Sequence, residues 1–136
     1  MPALKAFIVE DSPVILENLV ATLEELAQVE VVGSVPDEAS AVRWMSREPE
    51  ASADLFIVDV FLRSGTGLGV LQAAQRLGVR GRRVVLTNYA TEEMRRRCAS
   101  LGAERVFDKS HELDDLISYC AELADHGSAR PAAAAG

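Results

Sequence analysis

Five polar side chains stand where short apolar runs of this sequence end. They are Glu10, Asp11, Asp59, Thr87 and Lys109. Short, branched apolar runs such as Leu55–Val58, which ends just before Asp59, are typical of strands that are buried on both faces of a parallel sheet. A carboxylate at the carboxyl end of such a strand lies in the crevice where open α/β sheets bind ligands. Taken alone, Asp59 could equally solvate a strand end or cap a helix, so its predicted neighbours decide its role.

Three carboxylates and one lysine in a single crevice indicate phosphoryl chemistry. Carboxylates repel one another unless a cation or protons neutralise them. These ligands are all oxygen, with no histidine or cysteine among them, and they therefore suit a hard cation such as Mg²⁺. One carboxylate could then attack a phosphoryl group and form an aspartyl phosphate. Lys109 would offset charge on the phosphoryl oxygens, and the Thr87 hydroxyl would bond one of them.

The pattern of the whole chain predicts elements that bring these residues together. Five strand-like runs alternate with five segments of helical apolar spacing, and the first helix is expected over roughly residues 13–27, after Ser12 as N-cap. Parallel strands need helical crossovers, so we expect a parallel sheet with helices on both faces. In a flavodoxin-like, doubly wound sheet of order 2-1-3-4-5, strands 1, 3, 4 and 5 are neighbours about 4.8 Å apart. Side chains at their carboxyl ends would converge.

Length and composition are those of one globular domain. The chain has 136 residues, of which 49% are hydrophobic and 26% charged. We expect a domain over residues 1–126 and a loose, Ala-rich tail over residues 127–136. The sequence contains no apolar run of membrane-spanning length and no signal-peptide pattern, so we expect a cytoplasmic protein without membrane insertion. Cys98 and Cys120 occupy apolar helical positions, which predicts buried free thiols.

Charge is distributed unevenly along the chain. The net charge of −7 argues against sequence-independent binding of nucleic acid, and we expect no direct nucleic-acid contact. Residues 1–59 carry twelve acidic against three basic side chains, whereas residues 76–109 carry nine basic against four acidic. The basic part includes the run Arg95, Arg96 and Arg97. This run is either a solvated helix face or a docking surface for an acidic partner.

Four short motifs, each at a predicted strand end, resemble those of the response-regulator receiver domains of two-component signalling. They are Val9-Glu10-Asp11-Ser12, Ile57-Val58-Asp59, Val85-Leu86-Thr87 and Phe107-Asp108-Lys109. Each motif is weak alone, but the four in this order are specific, and the resemblance extends over about residues 4–125. It implies a phosphodonor that is a histidine kinase or a phosphotransfer protein. Such a domain assists its own phosphorylation and is not an enzyme with a separate substrate.

The resemblance also implies a role for each site residue. Asp59 would be the phosphoacceptor, and Glu10 and Asp11 would hold Mg²⁺ together with Asp59 and the backbone carbonyl of Phe61. Thr87 would be the switch hydroxyl that turns toward the phosphoryl group. Lys109 would be the lysine beside that group.

Several positions depart from the family pattern. An aromatic residue usually stands three residues before the lysine, but here this residue is Val106, with Phe107 next to it, and the part of both in the switch stays open. Asn88 replaces a small residue after the threonine and is expected to border access to the phosphoryl position, and Ser110 replaces the proline that commonly follows the lysine. Phe61 and Tyr89 border the expected phosphoryl position, and either they impede the attacking water and prolong the phosphorylated state or they pack as ordinary surface rings.

A DNA-binding regulator would continue into a further domain, and none follows in this sequence, so we expect a single-domain response regulator. Phosphorylation would bias the surface of helix 4, strand 5 and helix 5, on or near which the run 95–97 lies. The partner would be another protein or a second copy of the chain. Alternatives are an interaction module that works without phosphorylation, which Val106, Asn88 and Ser110 favour, or part of a longer protein. A metal-dependent phosphohydrolase would need an acid where Phe61 stands.

Overall fold

Strands and helices alternate strictly along the chain in the computed structural model, which describes residues 3–48 and 52–125. The strands are β1 (Leu4–Val9), β2 (Val29–Val35), β3 (Leu55–Val58), β4 (Arg82–Thr87) and β5 (Arg105–Asp108). The helices are α1 (Pro13–Leu26), α2 (Glu38–Met45), α3 (Gly67–Leu77), α4 (Glu92–Ser100) and α5 (Leu113–Asp125). Each predicted strand and helix is present, because the apolar periodicity that defines it is also what the fold buries.

The five strands form one parallel sheet in the order β2-β1-β3-β4-β5. The predicted flavodoxin-like topology is therefore confirmed. In the centre of the sheet Val58 pairs with Val9 on one side and with Val85 on the other, so the carboxyl ends of three strands are level. At the edge of the sheet Thr87 pairs with Asp108. This register brings the residues that follow β1, β3 and β5 to the same edge as the end of β4.

The core has two faces, because successive strand residues point to opposite sides of the sheet. In β3, Ile57 packs with the buried leucines of α1 and α5, whereas Val58 packs with residues of α2 and α3. The rings of Phe7 and Trp44 stack on the second face with centroids 4.0 Å apart. Trp44 is therefore a packing residue of this face. Helix α4 contributes Cys98 to a smaller cluster with β4 and α3.

Side-chain caps define where the helices begin. The Ser12 hydroxyl accepts the backbone N–H of Ile15 at 3.3 Å, and Pro13 is the first residue of α1, as predicted. Thr66 and Thr91 cap α3 and α4 in the same way. These caps satisfy backbone donors that would otherwise lack a partner, and they hold the loops that follow β3 and β4.

Both cysteines are buried free thiols, which confirms their prediction. Burial raises the pKa of Cys120 to about 12. Among residues 3–48 and 52–125, no helix has the length and apolar character needed to cross a bilayer. The predicted domain boundary at residue 126 and the tail over residues 127–136 lie outside the described part of the chain.

Candidate functional site

The structure brings Glu10, Asp59 and Lys109 into direct contact at the carboxyl edge of the sheet. The backbone N–H of Asp59 donates to the carbonyl of Val9 at 3.0 Å, which continues the β1–β3 ladder by one residue. The backbone N–H of Lys109 donates to the carbonyl of Thr87 at 2.8 Å and does the same between β4 and β5. Side chains that are 49 to 99 positions apart in the sequence therefore meet, because parallel strands end together.

Lys109 is shared between two carboxylates. Its Nζ lies 2.8 Å from Oε1 of Glu10 and 2.8 Å from Oδ2 of Asp59. The three side chains are only 11%, 3% and 8% exposed, respectively. The cluster has one positive charge against two negative ones. Burial removes most of the water that would screen these charges. Such a cluster favours the binding of a further cation.

Burial is the main cause of the raised pKa of Asp59, and the charge of Glu10 raises it further. The hydrogen bond and the charge of Lys109 lower this pKa but do not outweigh burial. For Lys109, burial would lower the pKa, but the hydrogen bonds and charges of Asp59 and Glu10 outweigh it, and the pKa is raised. The lysine is therefore held in its charged form, whereas the negative charge on Asp59 is the one the fold disfavours.

Glu10, Asp11 and Asp59 can each offer a carboxylate oxygen to one ion, since these oxygens all lie within 4.8 Å of one another. The second oxygen of Glu10 accepts the backbone N–H of Ser12 at 3.0 Å, which fixes the orientation of the carboxylate. An all-oxygen set in which one member, Asp11, is partly exposed fits a hard, partly hydrated cation such as Mg²⁺.

The loop between β3 and α3 is held close to Asp59. The backbone N–H of Phe61 lies 3.4 Å from Oδ1 of Asp59, and Phe61 pairs with Thr66 in an isolated antiparallel bridge. Gly67 donates its N–H to the carbonyl of Val60 at 2.8 Å. A Cβ atom at Gly67 would collide with the backbone carbonyl of Asp59, so only glycine permits this approach.

Glu38 also belongs to this arrangement, although the sequence did not predict it. Its Oε1 accepts the backbone N–H of Thr66 at 2.9 Å, and its own N–H donates to the carbonyl of Ser64 at 3.2 Å. The first residue of α2 thereby supports the β3–α3 loop. The only signal in the sequence was its position directly after the N-cap Asp37, which gives no information on a partner 28 residues away.

Thr87 lies fully buried at the end of β4, next to β3 in the sheet. Its Oγ1 accepts the backbone N–H of Tyr89 at 3.2 Å, so the hydroxyl is tied to the loop between β4 and α4. The same hydroxyl retains its hydrogen as a donor. Thr87 is therefore placed to link the sheet edge that carries Asp59 and Lys109 to the loop before α4.

Two aromatic rings stand at the rim of the site. Phe61 and Tyr89 are 52% and 60% exposed, and their ring centroids are 4.9 Å apart in an edge-to-face arrangement. Asn88 is exposed and lines an open groove of about 280 Å³ that also includes Lys109. The sequence predicted that these three residues border the site, and the contact between the two rings is a finding of the structure.

The two candidate switch residues of β5 lie on opposite faces of the strand. Phe107 is buried in the face that packs on α1 and α5, and its ring centroid lies 5.8 Å from that of Tyr119. Val106 is partly buried on the other face, against Val85 and Cys98. Strand alternation therefore places the aromatic side chain in the core and the small one beside α4.

The basic run on α4 does not form one surface. Arg95 is partly buried and is bonded to residues of its own chain, whereas Arg96 and Arg97 are exposed. The structure therefore leaves Arg96 and Arg97 available to a partner and gives Arg95 an internal role.

The model of the response regulator receiver domain family matches residues 6–121. The chain belongs to this family. Receiver domains act in two-component signalling and bind Mg²⁺ at an acidic pocket. The structure of this receiver domain has an acidic cluster of Glu10, Asp11 and Asp59. Comparison with curated proteins finds no match.

Solved structures of receiver domains share the fold of this one. The signal receiver domain of the regulator NarL from Mycobacterium tuberculosis is 18% identical, with a TM-score of 0.80 over 92% of this chain and 98% of that chain. The response regulator domain of CheB from Thermotoga maritima is 17% identical, with a TM-score of 0.77 over 91% and 95%. A response regulator from Burkholderia pseudomallei, solved with a phosphorylated aspartic acid, a calcium ion and citrate, is 19% identical, with a TM-score of 0.72 over 94% and 72%.

Proposed function

We propose that this receiver domain accepts a phosphoryl group on Asp59 from a histidine kinase or a phosphotransfer protein, in a reaction that requires Mg²⁺. The observation that carries the proposal is the buried cluster in which Lys109 contacts both Asp59 and Glu10 at 2.8 Å. An ion pair that only supports a fold ordinarily has equal charges. Here one lysine contacts two carboxylates, and the third carboxylate, Asp11, lies beside them. The related regulator from Burkholderia pseudomallei, which contains a phosphorylated aspartic acid, supports the same reading.

The two oxygens of Asp59 differ in their contacts, which indicates how the transfer proceeds. Oδ2 is held by Lys109, whereas among the contacts of the described residues Oδ1 has only the long one, at 3.4 Å, from the N–H of Phe61. Oδ1 attacks phosphorus, a new O–P bond forms, and the N–P bond of the donor histidine breaks with its electron pair passing to the ring nitrogen. Lys109 then stabilises the negative charge of the phosphoryl oxygens.

The metal would be held by Glu10, Asp11 and Asp59 together with the carbonyl of Phe61. When bound, it would supply the positive charge that three neighbouring carboxylates and an incoming phosphoryl group lack. The residues of the chain do the remaining work: Ser12 orients Glu10 through its backbone N–H, and the β3–α3 loop keeps Phe61 beside the acceptor.

The experiment that tests the proposal is incubation of the protein with a small acyl phosphate and Mg²⁺, followed by intact-mass measurement. We expect a gain of one phosphoryl group that chelation of Mg²⁺ prevents and that Asp59→Asn abolishes. Asp54→Asn is the matched control, because Asp54 lies just before the other end of β3, and this variant should be phosphorylated like the wild type. If the wild type gains no mass, the chain works as an interaction module that does not depend on phosphorylation.

We propose in addition that the phosphorylated domain signals through protein contacts on the surface formed by α4, β5 and α5. Arg96 and Arg97 are the exposed basic side chains that α4 offers there. Their partner would be a downstream protein with an acidic surface or a second copy of the chain. Phosphorylation-dependent association of the wild type, weakened in the double variant Arg96→Ala/Arg97→Ala, would support this output.

The paired rings of Phe61 and Tyr89 would shield the phosphorylated acceptor from water. They stand at the rim of the site, and together they present apolar edges to an approaching water molecule. We expect Phe61→Asn and Tyr89→Glu to release phosphate several-fold faster than the wild type, measured as the decay of the phosphorylated mass. Leu77→Asn, which changes an exposed apolar residue of α3, is the control. Unchanged lifetimes in both rim variants would show that the rings only pack at the surface.

A further inference from the structure

The side chain of Arg95 joins three separate segments of the chain. Its Nε donates to the carbonyl of Ala90 at 3.0 Å, and Nη1 donates to the carbonyl of Val106 at 2.8 Å. Nη2 donates to Oε1 of Glu112 at 3.0 Å. Ala90 belongs to the loop between β4 and α4, Val106 to β5, and Glu112 to the loop that leads into α5. One guanidinium therefore connects both loops that follow the last two strands.

Glu112 is itself fixed by the backbone around it. The same Oε1 accepts the N–H of Asp108 at 2.8 Å, and the N–H of Glu112 donates to the carbonyl of Asp108 at 2.8 Å. The N–H of Asp108 is the main cause of the lowered pKa of Glu112, and the Arg95 guanidinium lowers it further, so the carboxylate stays ionised. The turn over residues 108–112 is thus closed on the carboxylate that Arg95 binds.

These two loops also carry the residues of the phosphoacceptor site. Lys109 lies within the closed turn, and its backbone N–H donates to the carbonyl of Thr87. On the other side, the Thr87 hydroxyl accepts the N–H of Tyr89, next to Ala90. Each loop is therefore bonded to Thr87 at one end and to Arg95 at the other.

We propose that Arg95 is a positioning residue of the phosphoacceptor site, which holds the loop after Thr87 and the turn that carries Lys109 against α4 so that the three move as one unit. The proposal deepens the phosphorylation function proposed above and rests on it only for its functional consequence. A change at Asp59 that moves Lys109 or Thr87 is then transmitted to α4 through a single side chain. This coupling acts within one molecule and needs no partner.

Arginine suits this task because its planar fork presents several donors in fixed directions. Lysine has one charged nitrogen on a flexible stem and cannot reach three acceptors on three segments at once. Arg96, the next residue, offers a matched control: its side chain is 69% exposed, and it forms a long ion pair, at 3.9 Å, to Glu92 on the same helix. Substitution of the two arginines changes net charge and helix propensity equally but removes different contacts.

Hydrogen exchange in the unphosphorylated protein tests the proposal directly. In Arg95→Ala we expect the amides of Tyr89 and Lys109 to exchange about tenfold faster than in the wild type, because the bonds that order their loops are lost. In Arg96→Ala both amides should exchange at the wild-type rate. Met94→Ala controls for general loosening of α4, because it removes packing from the same helix and leaves the three bonds of Arg95 in place.

Two further variants keep the test informative if Arg95→Ala folds poorly. Arg95→Lys retains the charge and should still give faster exchange at both amides, since it cannot restore the fork. Glu112→Gln retains an acceptor and should give a smaller increase that is concentrated at Lys109. Exchange at Tyr89 and Lys109 that is no faster in Arg95→Ala than in Arg96→Ala, or equally fast in Met94→Ala, would overturn the proposal.

The functional consequence has a separate readout. We expect Arg95→Ala to be phosphorylated several-fold more slowly than Arg96→Ala with the same small acyl phosphate, and Arg95→Lys not to restore the rate. A wild type that is not phosphorylated would refute the proposed function, yet the exchange measurement would still decide the role of Arg95. If Arg95→Ala were phosphorylated slowly but its amides exchanged at the wild-type rate, only the positioning role of Arg95 would be refuted, and the proposed function would stand.

Discussion

The same sheet holds two ion-pair clusters with opposite characters at its two ends. At the carboxyl ends of the strands, Lys109 contacts Glu10 and Asp59, and all three side chains are almost completely buried. At the amino ends, Arg82 contacts Glu104, also at 2.8 Å, but these side chains are 36% and 39% exposed. The contact distances are equal, so distance does not distinguish the two clusters. Charge balance and burial do.

The cluster at the amino ends is balanced. Arg82 and Glu104 match one to one, and the hydroxyl of Tyr119 donates to Glu104 at 2.6 Å. Burial, followed by the hydrogen bond and charge of Glu104, raises the pKa of Tyr119, which therefore stays a neutral donor. This arrangement joins the start of β4, the residue before β5 and α5, and the charges of its ion pair are equal. A buried cluster with unequal charges, by contrast, costs the fold stability and keeps affinity for an added cation.

The largest effect that would sharpen this contrast is expected from Lys109→Met. Removal of the ammonium leaves Asp59 and Glu10 buried without their shared partner, and we expect the free energy of unfolding to fall by about 3 kcal/mol in chelator-containing buffer. Denaturant unfolding at neutral pH measures the change. Added Mg²⁺ should then recover stability, and by more than it stabilises the wild type, because it replaces a missing positive charge.

A smaller effect of the opposite sign is expected from Asp59→Asn. The substitution leaves Lys109 and Glu10 as a one-to-one pair and removes a charge that burial disfavours. We expect the free energy of unfolding without metal to rise by about 1 kcal/mol, while stabilisation by Mg²⁺ is largely lost. Thermal unfolding with and without Mg²⁺ checks both statements. A loss of stability would mean that Asp59 holds the fold together instead of costing it stability.

The smallest effect is expected from Arg82→Met. This pair is partly solvated, so we expect the free energy of unfolding to fall by only about 0.5 kcal/mol. The difference from the wild type should shrink in 1 M NaCl, because salt screens exposed charges. The denaturation midpoints of Arg82→Met and the wild type, each measured at low salt and in 1 M NaCl, check this expectation. If Arg82→Met and Lys109→Met destabilised the protein equally, the distinction between the two ends of the sheet would fail.

The sequence was sufficient to predict the fold and the convergence of Glu10, Asp59 and Lys109. The run Leu55–Val58 predicted β3 with its bounds, because a strand buried on both faces admits only apolar residues. Ser12 and Pro13 predicted the start of α1 by the chemistry of helix N-termini. Strand order followed from crossover rules, and the polar residues at the strand ends then had to share one edge.

Contacts between side chains on different helices were harder to predict. The sequence grouped Arg95 with the next two arginines, although its place between the inward-facing Met94 and Cys98 indicated that it lies nearer the core. Which carbonyls Arg95 binds depends on the exact position of α4 against the sheet, and no local sequence pattern determines that position. The bond from Glu38 to the β3–α3 loop is of the same kind, because it arises from how α2 and α3 pack together.

The close approach of Gly67 to the carbonyl of Asp59 restricts how this protein can be engineered. Chimeras that exchange α3 for that of a relative must bring in a glycine at this point, or the new side chain will displace Asp59 from Glu10 and Lys109. Saturation libraries at residue 67 should accordingly yield inactive but folded clones. In any redesign, therefore, the aspartate and the first residue of the helix that follows it form a single transplantable unit.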